Sequence, residues 1–193
     1  MISGKRHSSR LFLALLAVPL LSAGEESAIS IKEIFKPSAQ SLVMRFQEEK
    51  SMQILSQAVT SRGLLRFIPP DTLVREDDGS RGTVYRIEGN QVSISEGNRI
   101  LRQFDLDTSP EIAGIATTLR ALLAADGKAL EEHYTLILSG SGSDWMLQLT
   151  PRFEQDSRII EKILIRGGDG QIQRIDTYEQ SGDISRMILI PDG

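Results

Sequence analysis

The stretch SPEIAGIATTLRALLAAD, residues 109–126, reads as a strongly apolar helix inside a chain whose remaining pattern is short alternating strands. Its start has a physical reason. Ser109 offers a side-chain acceptor to the free amides of a first turn, Pro110 suits the first helical position, and Glu111 favours the positive end of the helix dipole. Ile112, Ile115, Leu119 and Leu122 then follow at helical spacing and form a single apolar stripe. The other face is built of small residues, Ala113, Gly114, Ala116 and Thr117. Asp126-Gly127 closes the helix, and a second short one is expected over 128–132. A concave sheet carrying one apolar lid is a binding device.

Upstream the period is two. Leu42, Met44 and Phe46 share one face of a half-buried strand while Arg45 and Gln47 point the other way. In the next run, 62–68, Gly63, Leu65 and Phe67 form the inward face before Pro69-Pro70 stops sheet pairing. The turn signals Asp77-Asp78-Gly79 and Gly89-Asn90 bracket a strand with Tyr85 and Ile87 inward, and Val92 and Ile94 mark the next. Residues 99–104 mix arginine with apolar side chains on both faces and leave the buried side open. Downstream, turn signals at 140–143, 167–170 and 181–183 separate antiparallel strands. Trp145, Leu147 and Leu149 share one face, and 159–165 and 184–190 are partly apolar on both faces, as expected of central strands covered on the concave side by helices.

At the amino end, Lys5, Arg6, His7 and Arg10 precede an apolar core over 11–21 and the small residues Ser22-Ala23-Gly24, the pattern of an export signal cleaved near Gly24. That core is well short of the roughly 20 residues of a membrane span. Residues 1–24 hold three of the 22 Lys and Arg and none of the 26 Asp and Glu, which leaves residues 25–193 at a net charge of −7. Such a balance disfavours nucleic acid and anionic membrane surfaces as partners. Ile31, Ile34 and Phe35 predict a brief helix ended by Pro37, packed on a sheet edge. With no cysteine in the chain, neither disulfides nor thiol chemistry contribute, and residues 25–193 suit one domain without a linker.

Chemistry is sparse. After the leader one histidine remains, His133, and no second histidine or cysteine completes a zinc or nucleophilic site. Asp105, Asp107 and Glu111 form the best carboxylate cluster, compatible with calcium or with a solvated loop before a helix. The glycine-rich runs at 140–143 and 167–170 are hairpin turns, not phosphate loops. No enzyme activity, cofactor or metal is expected. Loops containing Gly114 and Gly127 flank the helix, and its small face would let it shift over an openable cavity. A closed hydrophobic core fits the same residues.

Read in order, the landmarks resemble the bacterial periplasmic lipoprotein carrier family, LolA. They are Phe46-Gln47, Gly63 through Phe67 to Pro69-Pro70, Gly89-Asn90-Gln91-Val92, and Leu122-Leu123-Ala124-Ala125-Asp126 with Leu130 and Tyr134. Then come residues 145–151, running from Trp145 to Pro151, and Gly168-Asp169-Gly170-Gln171-Ile172 with Glu179 and Gly182-Asp183. The order and spacing of these six groups carry the resemblance. It implies a mainly β fold with a few helices: an unclosed antiparallel β-barrel, or half-barrel, with a helical lid over an apolar concave face. It further implies a periplasmic monomer that shields the acyl chains of a lipoprotein between an inner-membrane donor complex and an outer-membrane acceptor.

Two departures mark a divergent member. Family carriers place an arginine directly before the proline after the second strand, where it ties the lid closed; here that place is Pro69, and Arg66 lies earlier. The chain also ends at Pro191-Asp192-Gly193, without the longer tail linked to one-way delivery. The candidate cavity lining is Met44, Phe46, Leu65, Phe67, Tyr85, Ile87, Ile112, Ile115, Leu119, Leu122, Trp145 and Leu147, although ordinary core suits each of them too. A carrier of a free lipid or glycolipid intermediate would use the same cavity, and a lipid-sensing interaction module is a third possibility.

Overall fold

Strands of this chain pair because their apolar side chains alternate, and tight turns bring each strand back beside its predecessor. The computed structural model describes residues 41–191, with side chains at all of these positions except 110, 111, 155 and 156. The expected helix near Ile31 to Phe35 and the leader lie outside them. The first meander comprises β1 (Leu42–Ser51), β2 (Val59–Ile68), β3 (Thr72–Asp77), β4 (Thr83–Glu88), β5 (Gln91–Glu96) and β6 (Arg99–Asp105). After a 3-10 turn come α1 (Pro110–Leu123) and α2 (Gly127–His133). The second meander is β7 (Tyr134–Ser141), β8 (Asp144–Pro151), a one-turn α3 (Glu154–Ser157), β9 (Ile160–Gly168), β10 (Gln171–Glu179) and β11 (Ile184–Pro191).

All eleven strands form one antiparallel sheet in the order β6-β5-β4-β3-β2-β1-β11-β10-β9-β8-β7. First and last strands therefore meet in the middle, with Phe46 opposite Leu189 and Lys50 opposite Ser185. The edges, β6 and β7, stay apart, so the sheet is a half-barrel. The chain between those edges is the helical segment, which must cross the concave face to join them. No helix among the described residues is long and apolar enough to span a membrane.

Inward faces follow the period-two reading closely. Met44 and Phe46 on β1, Gly63, Leu65 and Phe67 on β2, and Trp145, Leu147 and Leu149 on β8 are buried in one core. Trp145 occupies the middle of this core because both of its cross-strand neighbours are glycines, Gly140 on β7 and Gly167 on β9. A β-carbon on Gly167 would fall on the Gln171 carbonyl and on the indole ring.

Several expectations need correction. β3 carries no alternation in sequence and was not anticipated, since its buried Leu73 and Val74 are adjacent and charged residues follow. β11 is central, but β9 lies third from the β7 edge. The second apolar face of β11, Ile188 and Ile190, is exposed on the outer side, where no helix covers it. Ser109 makes no side-chain cap; its carbonyl accepts from the Ala113 amide at 2.9 Å instead. Gly114 lies within α1, not in a flanking loop, and Gly127 begins α2. Strand β6, whose residues are apolar and charged on both faces, is an exposed edge that turns only Phe104 toward the core.

The glycine beside the indole gives a direct test. Gly167→Ala is expected to destabilise the fold by about 1–3 kcal/mol through overpacking. Urea unfolding followed by emission of Trp145, the single tryptophan, measures both the loss and the displacement of the ring.

Candidate functional site

Along four strands, β1, β11 and β10 side by side and β3 one strand beyond β2, the inward face changes from apolar to polar. On β1 the series is Met44, Phe46, Glu48, Lys50; on β3 it is Leu73, Arg75, Asp77; on β10 it is Ile175, Thr177, Glu179; on β11, read backwards, it is Leu189, Met187, Ser185. Antiparallel register sets the polar ends side by side, with Glu48 opposite both Ser61 and Met187, and Lys50 opposite Ser185. Between this graded surface and α1 lies a cavity of about 470 Å³. Its apolar part is formed by Leu65, Leu73, Ile87, Ile163, Ile175 and Met187 of the sheet and by Ile112, Ile115, Leu119 and Leu122 of α1. Glu48, Lys50, Arg75, Asp77, Thr177, Glu179 and Ser185 line the other end.

Helix α1 docks through its small face as much as through its stripe. Ala116, Thr118, Ala121, Leu122 and Leu123 are buried, whereas Ile112 and Leu119 are partly buried and Ile115 is 44% exposed. The small residues let the helix backbone approach the sheet, and the large ones overhang the cavity. Thr118 donates its only hydroxyl proton to the Gly114 carbonyl at 2.7 Å, so Tyr134 must be the donor in the buried 2.7 Å contact between the two hydroxyls. Arg120 donates to the Gly89 carbonyl at 2.8 Å and anchors the helix to the β4–β5 turn. Burial lowers the pKa of Arg120, and the Asp71 carboxylate partly opposes that effect.

The charged end is an organised network. Arg75 donates to Glu48 at 2.7 Å, to Asp77 at 2.8 Å and to Ser61 at 2.9 Å, and its guanidinium lies 4.3 Å over the Phe46 ring. Ser185 donates to Glu48 at 2.5 Å, and Lys50 pairs with Glu179 at 2.8 Å. Burial opposes ionisation of Glu48, but hydrogen bonds from Ser185, Arg75 and Ser61 and the Arg75 charge overcome it and hold the carboxyl below its ordinary value of 4.5. Burial likewise disfavours the Arg75 cation, and Glu48 with Asp77 more than compensates, so its pKa is raised.

A family model for outer membrane lipoprotein carrier protein LolA-like sequences matches residues 23–191. The chain belongs to the LolA-like family. That is a carrier family, not a family of enzymes. Among curated proteins no sequence matches. Solved structures include a LolA superfamily protein from Nitrosomonas europaea, at 11% identity and a TM-score of 0.46, covering 82% of this chain and 88% of that one. A putative outer membrane lipoprotein-sorting protein domain from Vibrio parahaemolyticus has 9% identity, a TM-score of 0.46 and coverages of 82% and 86%. A DUF1329 family protein from Desulfovibrio piger has 12% identity, a TM-score of 0.45 and coverages of 84% and 89%. At these scores the structural likeness adds nothing to the family assignment.

In this LolA-like chain seven of the anticipated lining residues meet at the cavity: Leu65, Tyr85, Ile87, Ile112, Ile115, Leu119 and Leu122. Tyr85 stands at the mouth, 37% exposed, and not in the interior as its strand face implied. Met44, Phe46, Phe67, Trp145 and Leu147 pack in the buried core beside it. The charged end was not anticipated. Its signal was present in the strand period, because Glu48 and Lys50 continue the inward series of Met44 and Phe46. Arg66 faces outward and pairs with Glu76 at 2.9 Å, so it does not replace the family's lid-tying arginine. Of the carboxylate cluster, Asp105 accepts from Gln91 and Asp107 accepts from Asn90. Among the described residues no group of three or more His, Asp or Glu could hold a metal ion.

Because the folded-state pKa of Glu48 is depressed, its stabilising contribution is complete above the unfolded value of 4.5 and is lost as pH falls through the lower folded value. Glu48→Gln is therefore expected to be less stable than the native chain at neutral pH, with the gap closing in acid. Urea midpoints across a pH series measure it.

Proposed function

We propose that this protein is a periplasmic carrier that holds acyl chains of a lipoprotein in the cavity beneath α1 and shuttles them from the inner to the outer membrane. The observation that carries this reading is a partly open apolar cavity, roofed by Ile112, Ile115 and Leu119, in a chain of the LolA-like family. Its volume of about 470 Å³ lies within the range of small-molecule sites. Exposing an acyl chain to water costs about 0.8 kcal/mol per methylene, or roughly 12 kcal/mol for a 16-carbon chain, so a carrier must cover most of the chain. Residues 1–24 act as the export signal, and 25–193 form the single carrier domain. The family match supports this boundary, since it begins at residue 23. A donor complex at the inner membrane and an acceptor at the outer membrane are the partners such a monomeric shuttle requires.

The size of the cavity favours a second reading. A methylene is close in size to a water molecule, which takes about 30 Å³, so the cavity accommodates on the order of one 16-carbon chain. Cargo with a single acyl chain, a free lipid or glycolipid intermediate, fits it as it stands, whereas a multiply acylated lipoprotein requires α1 to move outward. Native mass spectrometry of the protein purified from periplasm separates the two readings. A co-purifying lipoprotein supports the first, and a free lipid supports the second. A clean unliganded mass, with no uptake of an apolar fluorescent probe, would mean that α1 only seals a core.

The stripe on α1 supplies a mutational test. Ile115→Asp and Leu119→Asp place a carboxylate against the ligand side of the helix, and neither residue is fully buried. Both variants are expected to fold while losing apolar-probe uptake by about tenfold or more, given the cost of desolvating an unpaired charge. Unfolding of both variants would instead indicate a closed core.

A further inference from the structure

The polar end of the cavity is negatively charged and its cations are already engaged. Three carboxylates, Glu48, Asp77 and Glu179, face two cations, Arg75 and Lys50, which gives that end a formal charge of −1. Each guanidinium nitrogen of Arg75 has a partner: Nε donates to Asp77, Nη1 to Glu48 and Nη2 to Ser61, while the flat face stacks on Phe46. Lys50 donates one of its three ammonium protons to Glu179 at 2.8 Å. The apolar and polar surfaces belong to one cavity and grade into each other along the strands, so an acyl chain bound under α1 with its head toward this end would set that head among these groups.

A carboxylate or phosphate head arriving there would meet net negative charge in partly desolvated surroundings, where Coulomb repulsion is less screened than in water. To pair with Arg75 it would have to displace Glu48 from the guanidinium, and to pair with Lys50 it would have to share the ammonium with Glu179. An uncharged head faces no such cost. Its hydroxyl or amide N–H groups can donate to carboxylate oxygens, and the hydroxyls of Ser185 and Thr177 lie along the same wall.

We propose that the charged end of the cavity selects acyl chains whose head carries no negative charge, such as chains held through an ester or amide, and rejects free fatty acids and acidic phospholipids. This rests on the carrier reading and adds a specificity to it. A carrier moving between membranes rich in anionic lipid would in this way keep its cavity clear for its cargo.

The experiment is competitive displacement of the uncharged probe N-phenyl-1-naphthylamine from the purified protein at neutral pH and low salt. Competitors share one saturated tail: monolaurin with an uncharged head, dodecylamine with a cationic one, and laurate with an anionic one. Monolaurin and dodecylamine are expected to displace the probe at concentrations about tenfold or more below that of laurate, with the difference narrowing as salt is added. Glu179→Gln, which removes one negative charge and neutralises the end, is expected to narrow the gap between laurate and monolaurin several-fold. Binding of the probe itself by that variant reports that the cavity has folded. Equal displacement by laurate and monolaurin in the native protein would overturn the selectivity and leave the carrier reading intact. Failure of the native protein to bind the probe or any competitor would overturn both.

Discussion

The pairing of β1 with β11 is the contact on which the rest of the molecule depends. It joins the first and last strands in antiparallel register from Met44 opposite Pro191 to Ser51 opposite Ile184. Each meander can be assembled from local turns, but this ladder closes a loop of nearly the whole described chain and carries its entropic cost. Once it forms, β6 and β7 become the two outer edges, and the helical connection between them has to cross the concave side. The lid is thus a consequence of strand order. Helix α1 is anchored there by Arg120 on the Gly89 carbonyl and by the hydroxyl pair of Thr118 and Tyr134.

The same ladder creates the two-ended cavity. Residues Glu48 and Lys50 come from β1, Ser185 and Met187 from β11, and Glu179 from β10. They meet only because β1 lies between β2 and β11. A uniform apolar face would make a better core and a poorer binding site, since it would close on itself. By carrying charge on the inner face, the sheet gives one end of the cavity a polar lining while Leu65, Leu73, Ile163 and Ile175 give the other an apolar one. The Arg75 network makes this tolerable: its donors satisfy Glu48 and Asp77, whose burial alone would be costly.

Much of the fold was legible from the chain. Alternation assigned the inward residues of β1, β2 and β8, and the helix start was placed correctly at Pro110, whereas α1 ends at Leu123 and Asp126 caps α2 instead of closing α1. Where reading failed, a local cause is visible. β3 lacks alternation because Val74 is buried beside Leu73. Tyr85 shares a strand face with Ile87 but sits nearer the rim. Ser109 has a capping residue's chemistry without the cap, because its backbone adopts neither helical nor extended geometry. For the site, hydrophobicity found the helix stripe and, on the sheet, Leu65, Tyr85 and Ile87, and it passed over every charged residue that faces inward.

The sequence by itself determined what local periodicity can encode: strand against helix, inner face against outer, and the turn positions, together with an order of landmarks that marks the LolA-like family. Only the tertiary structure decided that the inward face is graded, that α1 stands over a cavity with Ile115 partly exposed, and that three carboxylates gather around Arg75 and Lys50. The physical reason is that these groups lie on strands far apart in the chain. Their meeting depends on strand order and register, which the alternation within any one strand does not specify.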